Sequence, residues 1–442
     1  MKFMDETETK QVMDQKELQP ETMDGKEAVV EGCVHRIRDL GEITFVVLRN
    51  RQGLFQMVLE KDGRREEAQI REGQAIRAAG VLRKEPRAPF GMELAAERIT
   101  VLSGPSGPLP AAVGKGKLSM SLDAKLNMRS LTLRNPKERA VFRIQEGICR
   151  GFRRYLTEQG FTEIHTPKIA AKSAEGGSGL FRLSYFHRPA VLVQSPQLYK
   201  QMMVGVFDRV FETGPVFRAE KHNTKRHLNE YTSLDLEMGF IDSFEDICRM
   251  EAGMIRSMMD LLKEEYRQEL ELLQVRMPDV SRFPCVRFDE AKKLVAEHYG
   301  RRIRSPHDLE PEEESLIGAY FKEMYQSDFV FVTHYPSKKR PFYAMEDPSD
   351  PSVTLSFDLL FRGVEVTTGG QRIHEPEELE KKLLSRGMEK EGMEEYLECF
   401  RYGMPPHGGL GIGLERFTMQ LLELENIRET SLFPRDMSRL KP

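Results

Sequence analysis

The chain has 442 residues, with 66 Lys plus Arg against 70 Asp plus Glu and a net charge of −4. It is long enough for two or more domains and a substantial core, but its overall charge does not mark a nucleic-acid binder, so any such contact has to come from local basic patches. The five cysteines (Cys33, Cys149, Cys248, Cys285, Cys399) show no C-x-x-C and no zinc spacing, and neither a signal peptide nor a bilayer-length apolar run is present. A disulfide scaffold, a zinc ribbon and a helical membrane protein are excluded, and a cytoplasmic location is expected.

Residues 1–26 are polar and mixed in charge, and are expected to form a loose extension. Short strand-like runs then follow at Ala28–His35, Thr44–Arg49, Leu54–Leu59, Ala75–Arg83 and Met92–Leu102, with a polar, helix-compatible stretch over Asp62–Glu72. Five strands in this space predict a small closed barrel over 27–103, for which an OB-fold is the natural candidate. Residues 104–135 open with the Gly- and Pro-rich GPSGPLPAAVGKG and read as a linker or hinge. The second domain is then 136–442.

Within it, Val141, Ile144, Ile148, Phe152 and Tyr155 recur at helical spacing, and an extended Phe161–Pro167 follows. Two strand-like runs, Asp208–Phe217 and Thr232–Phe240, enclose the loop Arg218–Glu230, dense in Arg, Lys, His and Glu. That loop exceeds an ordinary hairpin connection, so it asks for a reason: a solvated surface loop, or a cradle for a polyphosphate. Stretches 244–275 and 286–330 are mostly helical by pattern, and Asp328–Thr333 and Ser352–Phe361 return to strand composition. Asp358 and Glu365 stand on adjoining strand segments, and either hold Mg²⁺ or form salt-bridged acids. Pro376–Phe400 is charged and helical, and Gly403–Arg416 (GMPPHGGLGIGLER) places glycines and then Arg416 where a helix opens.

Taken in order, three of these stretches resemble the motifs of class II aminoacyl-tRNA synthetases. The helix with GFTEIHTP resembles motif 1, FRAE…RHLNE with its following D-x-E strand resembles motif 2, and GIGLER resembles motif 3. Behind an N-terminal barrel, the set resembles subclass IIb, the aspartyl, asparaginyl and lysyl enzymes, over about residues 27–442. The resemblance implies an α+β architecture: an OB-fold anticodon-binding domain and a catalytic antiparallel sheet flanked by helices, dimeric through motif 1.

QSPQLYK at 194–200 resembles the aspartyl branch, where Gln197 and Lys200 face the amino acid; asparaginyl relatives replace that lysine. Arg372 of GGQRIH matches the arginine that forks onto the substrate's side-chain carboxylate. Asp235, with Glu175 on a lid-like AEGGSG loop, would hold the α-ammonium. By the same carry-over Arg218 and Arg416 are the catalytic cations on the ATP phosphates. Glu220, Arg226, His227, Leu228, Glu365 and Gly413 complete the ATP site, and Asp358, Glu365 and Thr368 would bind Mg²⁺. The implied reaction is ATP-dependent ligation of L-aspartate to tRNA(Asp) through an aspartyl-adenylate.

In the barrel, FVVLRNRQGLFQ resembles the family's FxxxRDxxGxxQ. This implies that Phe45 stacks on an anticodon base and Gln56 reads the central uracil, with Arg38 and Arg49 as neighbouring contacts. The alternative for Phe45 is barrel core, and for the arginines plain surface residues. The chain departs from the family at Asn50, Cys33, Lys125–Met128 and His334. The barrel departures leave open whether tRNA(Asn) is charged as well as tRNA(Asp). The alternatives are an asparaginyl enzyme, a silent RNA-binding paralogue, in which Arg218, Glu365 or Arg416 would be eroded, and a tRNA-independent amide synthetase, which would lack the barrel.

Overall fold

The structure, a computed structural model, describes residues 12–60, 70–172, 179–221 and 224–442. The chain forms two compact units, Met1–Asn135 and Pro136–Pro442.

The first unit is a closed five-stranded barrel of β1 (Glu27–Asp39), β2 (Ile43–Arg49), β3 (Leu54–Glu60), β4 (Ala75–Lys84) and β5 (Met92–Ser103), in the order β1-β2-β3-β5-β4. This is the expected OB-type barrel. Alternation sets its lining: Val46 and Leu48 of β2 and Phe55 and Met57 of β3 point inward, with Val30, Val34, Ile76, Leu82 and Leu94. The described part of the N-terminal extension is not loose. Met13, Leu18 and Met23 pack against the barrel core, and the Met13 N–H donates to Val29 O at 3.0 Å. Three apolar side chains spaced five residues apart gave no helical or strand period, yet they bury one by one. The helix considered over Asp62–Glu72 falls largely outside the described residues.

The second unit is built on an eight-stranded sheet. In chain order its strands and the small ones around it are β6 (Thr162–Glu163), β7 (Ile169–Ala170), β8 (Arg182–Tyr185), β9 (Arg188–Leu192), β10 (Arg209–Phe217), β11 (Glu230–Gly239), β12 (Cys285–Arg287), β13 (Phe329–Thr333), β14 (Glu346–Asp347), β15 (Asp350–Thr354), β16 (Ser356–Phe361), β17 (Val364–Gln371) and β18 (His407–Gly413). The main sheet runs β12-β13-β16-β17-β18-β11-β10-β6 and is antiparallel except at its two outer pairs. The Pro136–Glu158 and Phe244–Glu265 helices cover one face, burying Ile144, Ile148, Phe152, Met254 and Met258 against Leu234, Leu236, Leu410 and Ile412.

Two expected elements are each divided. The strand over Ser352–Phe361 breaks at Leu355, whose N–H donates to Met345 O, so β15 closes a hairpin with β14 while β16 joins the main sheet. The helix over Pro376–Phe400 becomes Pro376–Ser385 and Glu394–Arg401. Gly387 and Gly392 lie between them at φ of 70° and 76°, a conformation that ends helices.

Candidate active site

The face of the sheet away from the two long helices floors a cavity of about 740 Å³. Strand alternation explains its chemistry. On β11, Leu234, Leu236 and Met238 enter the core, so Ser233, Asp235 and Glu237 are turned to the other face. β18 lies opposite in register, Asp235 against Gly411 and Glu237 against Gly409. A Cβ on Gly409 would lie 2.1 Å from Glu237 Oε2, and one on Gly411 3.0 Å from Asp235 Oδ1. Glycine alternating with Leu410 and Ile412 thus makes room for the acids.

Two buried cations stand on this floor. Lys200, from the Gln197–Phe207 helix, donates to Asp235 Oδ1 at 3.1 Å and to the carbonyls of Leu410 (2.9 Å) and Leu236 (3.3 Å), and lies 3.3 Å from Glu237 Oε2. Arg372 donates from Nε to Glu237 Oε1 at 2.9 Å and from Nη2 to Gly409 O at 3.0 Å, with Tyr343 under its guanidinium at 5.3 Å. Burial alone would raise the Glu237 carboxyl, but Arg372 and Lys200 outweigh it and hold it below its ordinary value. Asp235 Oδ2 and Gln197 Nε2 are buried and have no hydrogen-bond partner among the described residues. Buried polar atoms left this way ask for a ligand.

The other end of the cavity is cationic and more open. Arg218 follows β10, its guanidinium 5.8 Å from the Tyr231 ring, and Asn229 ties the loop back by donating to the carbonyls of Arg218 and Glu220. Leu228 is pinned in a small cluster with Met419 and Ile427. His227 receives or gives a short hydrogen bond at Thr224, and burial followed by Arg416 lowers its basicity. Arg416, on the helix that opens after Gly413, donates to Glu365 O at 2.9 Å.

Of the residues singled out in the sequence, Gln197, Lys200, Arg218, Glu220, Arg226, His227, Leu228, Asp235, Glu365, Thr368, Arg372, Gly413 and Arg416 all line this one cavity. Asp358 is not in its lining. It lies opposite Thr368 on the β16–β17 hairpin, buried and ion-paired with Arg340 at 2.8 Å, and burial pushes its carboxyl up to about 6 against that arginine. Glu175 lies outside the described residues. Sequence reasoning did not single out Tyr343, Arg340 or Glu314. Glu314 approaches Arg226 at 3.8 Å and accepts the Glu365 N–H at 3.4 Å. It sits in a PEEES run that reads as a solvated helix start. Glu237 had a signal, the D-x-E spacing, but no role.

On the barrel, the four expected contacts share the outer face. Phe45 is half-buried, between inward-facing Thr44 and Val46, and stands outside the barrel's apolar cluster, so it is not core. It pairs in register with Arg38, while Val47 pairs with Gln56, and Arg49 is the next residue on that side of β2. Gln56 donates to Glu93 Oε2 at 2.7 Å.

Residues 121–437 match the family model of class II tRNA synthetases (D, K and N), and residues 28–102 that of the OB-fold nucleic acid binding domain. The chain belongs to the class II tRNA synthetases of this group. It is 46% identical over 419 residues to the aspartate–tRNA(Asp/Asn) ligase of Thermus thermophilus, covering 95% of this chain and 97% of that one. It is 40% identical over 429 residues to the aspartate–tRNA(Asp) ligase of Pyrococcus abyssi, covering 96% and 98%. Among solved structures, the asparaginyl-tRNA synthetase of Pyrococcus horikoshii with asparaginyl-adenylate matches with a TM-score of 0.88 at 31% identity, covering 97% and 98%.

Proposed function

We propose that this chain ligates L-aspartate to tRNA(Asp) in an ATP-dependent reaction, through an aspartyl-adenylate. The observation that carries this is the pair of buried cations, Lys200 and Arg372, joined through Glu237 on the floor of the cavity. An acidic side chain completes such a site, whereas the neutral amide of asparagine leaves a fixed charge unmatched in a dry setting. Asp235 Oδ2 takes the α-ammonium, and Gln197 Nε2 also faces the substrate.

The aspartate α-carboxylate then attacks the α-phosphate of ATP in line, and pyrophosphate leaves. Arg218 holds the charge gathering on the α-phosphate; Arg226, His227 and Arg416 hold the outer phosphates. Glu220 takes the adenine amino group, and Leu228 and Gly413 shape the bed. Positioning and fixed charge do the work, with no side chain required to carry a proton. Glu365 and Thr368, facing the cavity with their side chains 3.2 Å apart, fit Mg²⁺, which takes few protein ligands and otherwise phosphate and water oxygens. Asp358 fits behind them only by yielding its contact with Arg340. Bound there, Mg²⁺ would neutralise phosphate charge. In the second step the 3′-terminal ribose hydroxyl of the tRNA takes the aspartyl group and AMP leaves.

The barrel reads the anticodon through Phe45 and Gln56, flanked by Arg38 and Arg49. A second reading adds tRNA(Asn) as a substrate, favoured because the Thermus relative, the more similar of the two described, carries both tRNAs in its name. The Pro136–Glu158 helix and the edge strand β6 suit a homodimer contact. No helix among the described residues is long and apolar enough to cross a membrane, and the five cysteines are unpaired, in keeping with the cytoplasm. The test is aminoacylation with radiolabelled aspartate on tRNA(Asp) and tRNA(Asn), beside Arg218→Ala. Charging of one or both tRNAs by the wild type, lost in the variant, supports the reading; no charging of either overturns it. Exchange of pyrophosphate into ATP with asparagine and not aspartate would move the asparaginyl alternative forward.

A further inference from the structure

The cavity carries more cations than aspartate and ATP use. Lys338 and Lys339 line it from the turn Ser337–Lys339, and Arg386 lines it from the end of the Pro376–Ser385 helix. Arg340 is engaged with Asp358. Lys339 reaches Asp308 at 3.2 Å in an exposed pair, the kind that contributes little, and the Lys338 ammonium has no partner among the described residues.

The turn is clamped in place. Arg386 donates to the carbonyls of Ser337 and Lys338, the latter at 3.1 Å, and Lys382 donates to Ser337 Oγ at 3.1 Å. Arg386 thus holds the backbone of the turn and Lys382 the Ser337 hydroxyl, while the two lysines of the turn itself remain exposed at the cavity. The turn reaches two parts of the cavity, since Arg340, next in the chain, pairs with Asp358 at 2.8 Å. The turn runs on through Pro341 and Phe342 into Tyr343, which lies under Arg372, and Ala344, which bridges to Arg372. The cations proposed for the ATP phosphates are on other elements, the loop after β10 and the helix after Gly413.

A lone basic run is usually a solvated face. Here it is fixed at the lip of a cavity whose proposed ATP cations already lie on other elements. On the reading of the chain as a tRNA ligase, the second step brings a 3′-terminal ribose to the aminoacyl carbonyl, so the last phosphodiesters must cross the cavity's lip. We propose that Lys338 and Lys339 bind the phosphates of the 3′-terminal nucleotides of the tRNA, serving aminoacyl transfer and idle in adenylate formation.

The experiment compares wild type with the double variant Lys338→Ala/Lys339→Ala in aspartate-dependent pyrophosphate exchange and in aminoacylation over a range of salt. Exchange is expected to stay within about twofold. Aminoacylation kcat/KM for tRNA should fall roughly tenfold at low salt, and its log–log salt slope should become shallower by about 1.4, as for two single-strand phosphate contacts of about 0.7 each. The Lys338→Arg/Lys339→Arg variant should keep both, since charge is what is needed. An equal fall in exchange would assign the turn to ATP or aspartate and overturn the proposal, as would an unchanged tRNA term and salt slope. A wild type with no aspartate-dependent exchange would overturn the underlying reading itself, a different result from either.

Discussion

Arg372, just past the end of β17, donates from Nε to Glu237 Oε1 of β11 over 2.9 Å, and neither side chain is open to solvent. The other Glu237 oxygen lies 3.3 Å from Lys200. One carboxylate therefore fixes two cations, and its loss leaves both misplaced in a low-dielectric floor. Removing one member of a buried pair costs about 3–5 kcal/mol. Glu237→Gln is expected to lose stability in that range in urea unfolding. Arg372→Lys keeps the charge but loses the planar fork. Its kcat/KM for aspartate in pyrophosphate exchange should fall about 100-fold, near 2–3 kcal/mol, with the KM for ATP within about twofold. A Lys variant with aspartate kinetics like the wild type would remove Arg372 from the substrate's side chain.

The glycines of β18 carry a sharper test. Gly409 sits where a methyl group would meet Glu237 Oε2 at 2.1 Å and Leu236 O at 2.2 Å, the second being backbone that cannot swing away. Overpacking of this kind costs about 1–3 kcal/mol or more. Gly409→Ala should lower the thermal midpoint and reduce aspartate-dependent exchange together. Gly116→Ala, with open space around it, should change neither. Equal midpoints for the two variants would show that the floor tolerates a side chain.

These two positions show where sequence reading reached and where it stopped. The strand pair around Arg218–Glu230 and the opening of a helix near Arg416 were legible because local composition and turn residues set them. The partnership of Glu237 with Arg372 was not, because it depends on the register of β11 against β18 and on a residue 135 positions away. Spacing within one segment says nothing of what lies opposite. Tyr343 and Arg340 were missed for the same reason, and Asp358 showed its spacing to Glu365 without showing its contact with Arg340. The break at Leu355 follows from the sheet itself, since one extended run gives its two halves to different sheets.

Buried acids give the stability an unusual pH profile. Glu251, in the Phe244–Glu265 helix, is fully buried. Thr367 and Asp358 are its polar neighbours among the described residues, and burial raises it to about 8. Between its ordinary value of 4.5 and about 8 the folded chain keeps a proton that the unfolded chain has released. Stability from this group is therefore full below 4.5 and is lost as pH rises, by about 1.4 kcal/mol per pH unit at most. His407 works the other way: burial lowers it to about 4, so stability is lost as pH falls below 6.5. Glu251→Gln mimics the protonated form and should match the wild type near pH 5. At pH 8 it should exceed it, with a flatter profile of thermal midpoint against pH. A variant less stable than the wild type at pH 8 would mean that the carboxylate is ionised and stabilised in the folded chain.

A substitution on the barrel separates the two units by function. Phe45 stands on the outer face of the barrel beside Arg38, with Gln56 close by on β3, so its ring adds little to the barrel interior. Truncating it should cost well under the roughly 3–5 kcal/mol of a core phenylalanine. If it stacks on an anticodon base, Phe45→Ala should lower kcat/KM for tRNA by the equivalent of about 1–3 kcal/mol, the usual worth of one stacked base. Pyrophosphate exchange involves no anticodon and should stay at the wild-type value. Stopped-flow adenylate formation and steady-state charging on one protein preparation would read both. A variant that unfolds like a core deletion would return Phe45 to the barrel interior. One that charges tRNA(Asp) at the wild-type rate would leave the outer face without a stacked base at this position.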